Sequence, residues 1–171
     1  MAFTSGVSVL GAAAQGIDIR ILSSISDRVN WKLMTSPAIT RPQDLRGKTL
    51  GVQSIVGSTW MYSVLALEHL GINPVRDAIS FIPTGDPVTT AQALEAGRID
   101  AAALDPALSR RLANRNFRVL ADLAQTPVAF PGLGIGVRRS YLAAHSVDAE
   151  NVIMALVESL AFVVMLRLGP E

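Results

Sequence analysis

The chain has 171 residues, of which 50% are hydrophobic and 17% charged, and its formal net charge is +1. That balance allows a packed core and argues against disorder, and the scattered lysines and arginines form no basic footprint for nucleic acid. Cysteine is absent, which excludes disulfides, thiolate metal sites and cysteine nucleophiles.

The N-terminus lacks a basic start leading into an apolar core and a small-residue cleavage site. No signal peptide is therefore expected, and the sequence reads as mature domain sequence entered partway. Thr4, Ser5 and Gly6 can open a helix that runs through small apolar residues to Gln15, with Gly16 as its C-terminal cap. "IDIRILSSI" alternates like a strand, and "WKLMTS" is a second short apolar segment. Pro37 and Pro42 mark residues 36 to 42 as a connection. From Lys48 onward the pattern is regular. "KTLGVQS" predicts a strand and "GSTWMYSVLALEHLG" a helix, with Trp60, Val64, Leu67 and Leu70 on one face and Gly71 ending it. "AISFIP" is a strand. "DPVTTAQALEAG" is a helix with Asp86 as N-cap, Pro87 at its first position and Gly97 as stop. "IDAAAL", "DPALSRRLANR" and "FRVLADL" continue as strand, helix and strand. This alternation predicts a parallel, doubly wound α/β lobe over residues 44 to 125. "GLGIGVRR" is a glycine-rich strand candidate, and residues 148 to 166 form a long final helix. No apolar run reaches the roughly 18–20 residues of a membrane helix. The best candidate, "VIMALVESLAFVVMLRLG", carries Glu158 in its middle and reads as a largely buried helix.

The search for chemistry begins with Gly47-Lys48-Thr49. A phosphate-binding loop needs a glycine five residues before its Gly-Lys and the order strand, loop, helix. Pro42 stands at that place and a strand follows, so Lys48 belongs at the solvated lip of a strand. His69 and His145 are the only histidines and read as structural, His69 being favoured near a helix C-terminus. No G-x-S-x-G turn supports a serine nucleophile. Asp100 sits at the start of a strand, and Asp86 and Asp105 read as caps before proline. No catalytic residue, metal site or cofactor is expected. What remains are the polar helix starts Gly57-Ser58-Thr59, Gly85-Asp86 and Asp105-Pro106. In a parallel α/β sheet they lie past the carboxyl ends of strands, on the edge where small molecules bind. A helix N-terminus offers unsatisfied N–H groups and partial positive charge, which suits a carboxylate, sulfonate or phosphate. The plainer reading is that Ser58 or Thr59 only caps its helix.

The succession "DLRGKTLGV", "GSTWMYSVLALEHLGINPVRDAISFIPTGDP", "AQALEAGRIDAAALDPALSRRL" and "FRVLADLAQ" resembles the solute-binding proteins of ABC importers. The group is the one for nitrate, taurine, alkanesulfonates and thiamine pyrimidine precursors. The resemblance implies a two-lobed, periplasmic-binding-protein-like α/β fold with doubly wound, mainly parallel sheets and ligand in the cleft between the lobes. It implies that residues 1–35 and 126–171 are parts of an incomplete first lobe and residues 36–125 the second. "WKLMTSPAI" and the stretch around "TPVAFPGLG" would be the two crossings. The family's secretion signal, opening strand-helix-strand unit and C-terminal helices have no counterpart, so the chain reads as an internal piece. Carried over by position, the ligand-touching residues are Thr4, Ser5, Ser54, Gly57, Ser58 and Thr59, with Gly85 and Asp86 as further candidates.

The leading function is non-catalytic binding of a small, anionic organic solute, a sulfonate, carboxylate or pyrimidine-like molecule. The implied partner is an ABC permease and the implied location of the parent protein is periplasmic or extracytoplasmic. Two alternatives are the effector-binding domain of a transcription regulator and an enzyme of thiamine-pyrimidine synthesis. The final helix is apolar on several sides, which predicts that residues 1 to 35 and 148 to 166 pack on a second copy.

Overall fold

The computed structural model describes residues 1–126 and 130–168. The chain divides into two compact units: Met1–Ile25 with the chain from Leu133 onward, and Ser26–Gly132. The second unit holds β3 (Lys32–Thr35), β4 (Thr49–Val52), α2 (Ser58–His69), β5 (Ser80–Pro83), α3 (Pro87–Glu95), β6 (Ala101–Leu104), α4 (Pro106–Ala113) and β7 (Arg118–Asp122). A 3-10 turn at Pro42–Leu45 leads into β4. The first unit holds β1 (Ala2–Ser5), α1 (Gly6–Ala14), β2 (Ile19–Ser24), β8 (Leu133–Arg138), α5 (Arg139–Ala144) and α6 (Ser146–Leu168).

The sheet of the second unit has the order β5-β4-β6-β3-β7. β4 pairs in parallel with β5 on one side and β6 on the other. β3 runs antiparallel to both β6 and β7. The expected parallel winding thus holds for β5-β4-β6, and the sheets as a whole are mixed rather than mainly parallel. The reason lies in connectivity: β3 enters from outside the strand-helix series and inserts between its last two strands. Burial on both faces explains why β6 is the unbroken run Ala101–Leu104, every residue of it buried. Leu94, Ile99 and Leu112 pack on it with Met34 of β3. On α2 the buried positions are Thr59, Tyr62, Ser63, Ala66 and Leu67, whereas Trp60, Val64 and Leu70 are half-buried. The expected stripe is therefore turned by about one residue, because the small side chains of Ser63 and Ala66 let the helix settle closer to the sheet.

Lys48 stands at the strand entrance, its Nζ 3.7 Å from Asp100. Asp100 also accepts the Thr49 N–H at 2.9 Å, so this carboxylate pins the start of β4 beside β6. The Gly-Lys-Thr is thus a strand entrance in the fold as in the sequence.

In the first unit the sheet order is β1-β8-β2, with both pairings antiparallel. β8 alternates Gly134, Ile135, Gly136 and Val137. A Cβ on Gly134 would strike the Ser23 carbonyl oxygen of β2, so only glycine allows this strand approach. Ser5 caps α1 by accepting the Ser8 N–H at 3.3 Å, and Gly16 at φ +85° follows the helix. β1 and α5 were not foreseen. His145 stacks on Tyr141 at 4.5 Å and lies 3.5 Å from Asp148, a carboxylate neighbour the sequence reading did not assign to it. The expectation of a buried final helix is corrected: α6 is exposed at every residue from 157 to 166. Its span Ser146–Leu166 is long and apolar enough by composition to cross a membrane, with a mean hydropathy of 1.9 and 6% of it buried. The expected return crossing around "TPVAFPGLG" includes Pro127–Ala129, which lie outside the described residues.

Truncating Leu104, fully buried at the centre of the mixed sheet, should lower unfolding stability by about 2–5 kcal/mol in Leu104→Ala. Val75→Ala, at a residue 91% exposed, should change it by less than about 0.5 kcal/mol. Chemical denaturation measures both, and equal effects would refute this placement of the core.

Candidate ligand-binding site

Because β4, β5 and β6 run in parallel, the loops that leave their carboxyl ends lie on one edge of the sheet. The chain passes from β4 to β5 on one side and from β5 over to β6 on the other. The loop after β4 therefore stands beside the point where the winding reverses, the place where open α/β sheets form a crevice. Three helix starts, those of α2, α3 and α4, gather on this edge.

Two of them are filled by their own side chains. Asp86 caps α3, with Oδ1 accepting the Val88 and Thr89 N–H groups at 2.9 and 3.0 Å and Oδ2 accepting the Thr89 hydroxyl at 2.5 Å. Asp105 caps α4 in the same way, taking the Ala107 and Leu108 N–H groups at 2.8 and 3.0 Å. In both, a carboxylate already occupies the place an anion would take. Gly85, at φ +88°, supplies the turn into the first of these caps.

The start of α2 differs. Its N-cap is Gly57, with φ −81° and ψ 178°, which makes no side-chain cap hydrogen bond. The Asp86 and Asp105 caps have nearly the same backbone angles, so the three starts share a shape and differ in the side chain. The Gly57 carbonyl receives the Met61 N–H at 3.0 Å. The first-turn N–H groups of Thr59 and Trp60 have no helical carbonyl behind them. Ser58 is the first helical residue, so the reading of Ser58 or Thr59 as the cap is replaced by Gly57. The Thr59 hydroxyl faces inward: the residue is buried, and its Oγ1 accepts the Gln53 N–H at 2.8 Å. Thr59 thereby ties the loop after β4 to the helix. A Cβ on Gly57 would meet Ser54 Oγ, and the Gly57 N–H donates to the Ser54 carbonyl at 3.2 Å. Ser54, Gly57 and Ser58 thus form one tight turn over the helix end.

Between them stand Ile55 and Val56, 49% and 71% exposed. Val56 has φ +65°, a conformation that costs a β-branched residue on the order of 1–3 kcal/mol. Sequence reasoning passed over it, since nothing in a valine's type signals a left-handed backbone. Below the turn, Tyr62 of α2 packs on Trp31 at 5.2 Å and Phe130 at 6.3 Å, and burial raises its phenol pKa. Thr4 and Ser5 belong to the first unit, Thr4 in β1 opposite Gly134 and Ser5 as the α1 cap. Among the described residues no cluster of three or more histidine, aspartate or glutamate side chains could hold a metal ion.

Residues 1–165 match the family model described as NMT1/THI5 like. The chain belongs to the NMT1/THI5-like family. No curated protein sequence matches it significantly. Among solved structures, this NMT1/THI5-like chain is similar to the periplasmic aliphatic sulphonate binding protein SsuA of Escherichia coli. The TM-score is 0.71 at 20% identity, covering 91% of this chain and 53% of that one. It is also similar to the alkanesulfonate-binding SsuA of Xanthomonas axonopodis pv. citri bound to MOPS, with TM-score 0.71, 23% identity, and 90% and 53% coverage. A Candida albicans gene product with the generic periplasmic binding protein fold gives TM-score 0.72 at 16% identity, covering 94% and 53%. The fold is that of the periplasmic binding proteins, and the chain spans about half the length of the structures it matches.

Two outcomes follow from the local geometry. The hydrogen bonds from Thr89, hydroxyl first and backbone second, hold the Asp86 carboxyl below its ordinary range. A lowered folded-state pKa contributes stability above the unfolded value near 4 and loses it as pH falls through the folded one. Acid titration of wild type against Asp86→Asn should therefore show a smaller loss in the variant below about pH 4, and parallel curves would contradict the cap. Val56→Gly relieves the left-handed strain and should raise stability by roughly 1 kcal/mol. A lower melting temperature in that variant would show the strain absent.

Proposed function

We propose that this NMT1/THI5-like chain is the ligand-binding part of a periplasmic solute-binding protein of an ABC import system. In this reading it takes a small organic anion at the N-terminus of α2 and performs no catalysis. The observation that carries it is the contrast on the sheet edge. Two helix starts of matching backbone shape are sealed by Asp86 and Asp105, and the one left without a capping side chain has glycine at its N-cap. Glycine at 57 makes room for Ser54 Oγ, which a Cβ there would meet, and a helix start without a carboxylate of its own favours an outside anion. Ser54 and Ser58 add hydroxyls beside the N–H groups of Thr59 and Trp60. Asp86 and Gly85 serve as the neighbouring rim, and Thr4 and Ser5 are candidate contacts of the first unit.

The similar structures named for sulphonate binding make a sulfonate the first ligand to try, with carboxylates and pyrimidines next. A second reading, an enzyme, draws on likeness to the desulfurization enzyme DSZB, with TM-score 0.57 and 16% identity. Against it, the sequence has no cysteine. His69 lies at the far end of α2 from the proposed site, about 17 Å along a helix rising 1.5 Å per residue. We further assign the two compact units to the two lobes of the binding-protein fold.

Gly57→Asp tests the proposal by giving α2 the same self-cap as α3 and α4. Calorimetric titration with taurine, longer alkanesulfonates and carboxylates should show affinity falling at least about tenfold, and further than in Gly57→Ala, which sets the same Cβ against Ser54 Oγ without adding a carboxylate. Undiminished binding in the variant would remove α2 from the site. Turnover of a bound sulfonate to sulfite by the wild-type chain would favour the enzyme.

A further inference from the structure

We propose that Tyr62 is a further ligand contact, its phenol hydroxyl donating to a hydroxyl or carbonyl oxygen on the body of the anion that α2 receives. The inference rests on the reading of the α2 start as an anion site and narrows the ligand class to short organic anions that carry a hydrogen-bond acceptor beside the charge. All the residues involved belong to the second unit. Tyr62 is 6% exposed. Its ring is clamped, tilted 42° against Trp31 and edge-on to Phe130 at 86°. Its hydroxyl has no hydrogen-bond partner among the described residues, although a buried phenol normally finds one. For packing between Trp31 and Phe130 a phenylalanine would serve, so the oxygen is the part that the fold does not account for. Among the described residues, the side-chain atoms sealed from solvent without a partner are Ser23 Oγ and Arg111 Nε. The Tyr62 oxygen is not one of them, so it stays open to an incoming molecule.

Topology sets this oxygen on the binding edge. Lys32 opens β3 opposite Leu104, the last residue of β6. Trp31 therefore stands past the carboxyl end of β6, on the edge where the three helices begin. The Trp31 carbonyl accepts the Leu123 N–H at 2.9 Å, and the Phe130 N–H donates to the Asp27 carbonyl at 2.8 Å, which fixes both walls around the ring. Tyr62 lies three residues beyond Thr59, about 4.5 Å along the helix axis. Helical side chains lean toward the N-terminus of their helix, so Tyr62 leans back over the first turn, where the Thr59 and Trp60 N–H groups lie. An anion held by those groups brings an oxygen a few bonds from its charge within reach of the phenol. Burial raises the phenol pKa, and the hydroxyl meets the ligand as a neutral donor.

Calorimetric titration with two probes that differ by one acceptor, ethanesulfonate and 2-hydroxyethanesulfonate, tests the contact. The wild-type chain should prefer the hydroxylated probe. Tyr62→Phe keeps the ring between its walls and should cut 2-hydroxyethanesulfonate affinity about tenfold, the worth of one hydrogen bond, while shifting ethanesulfonate by less than about twofold. Gly57→Asp should weaken both probes. A Tyr62→Phe variant that loses both probes equally, or neither, would overturn the role of Tyr62, and loss of both in Gly57→Asp would then leave the α2 site standing. Undiminished binding of both probes in Gly57→Asp, or a wild-type chain that binds neither, would overturn the α2 site and this inference with it.

Discussion

Every α-helix begins with N–H groups that its own carbonyls cannot reach, and the second unit meets this constraint three times on a single sheet edge. Parallel pairing of β4 with β5 and β6 forces the convergence, since parallel strands deliver their following helices to the same side. Two of the three demands are met internally by aspartates whose carboxylates sit 2.8–3.0 Å from the N–H groups they accept. The third has glycine at its N-cap. The proposed site lies at this third start, on an edge that topology defines before any ligand is considered.

The surroundings of α2 hold its first turn in a fixed posture. Thr59 spends its hydroxyl on Gln53, Ser63 donates to the Thr59 carbonyl at 2.8 Å, and Tyr62 is wedged between Trp31 and Phe130. Gly57 accommodates Ser54, and Val56 bears the backbone strain of the turn. Under the proposed reading, a turn held this way would meet a ligand with little reorganisation, which favours affinity.

Much of this was legible in the sequence. The Asp-Pro starts of α3 and α4 and the glycine stops read directly, because caps are local chemistry: one side chain, two N–H groups, three residues. The Gly-Lys-Thr could be dismissed because its order relative to the strand was wrong. What the sequence concealed was non-local. The orientation of β3 depends on which strands it finds as neighbours, and a four-residue apolar run looks the same in either direction. The packed face of α2 was misjudged because Ser63 and Ala66 carry no hydrophobic signal, although their small size lets the helix approach. The exposure of α6 was invisible for the opposite reason: apolar composition predicts that a helix will be covered without naming what covers it. Val56 had no signal at all.

The Gly132 N–H donates to the Ser26 carbonyl at 3.1 Å, joining the two ends of the second unit. The first unit is discontinuous, and β8 must find β1 and β2 across roughly a hundred intervening residues, a closure costing about 4 kcal/mol for a free loop. Once the second unit has folded, that cost is already met, and Ile25 and Leu133 emerge as neighbours able to pair at 2.9 Å. Folding of the continuous unit thus carries the closure that the discontinuous one needs, and the glycine-rich β8 reaches β1 and β2 at no further loop cost.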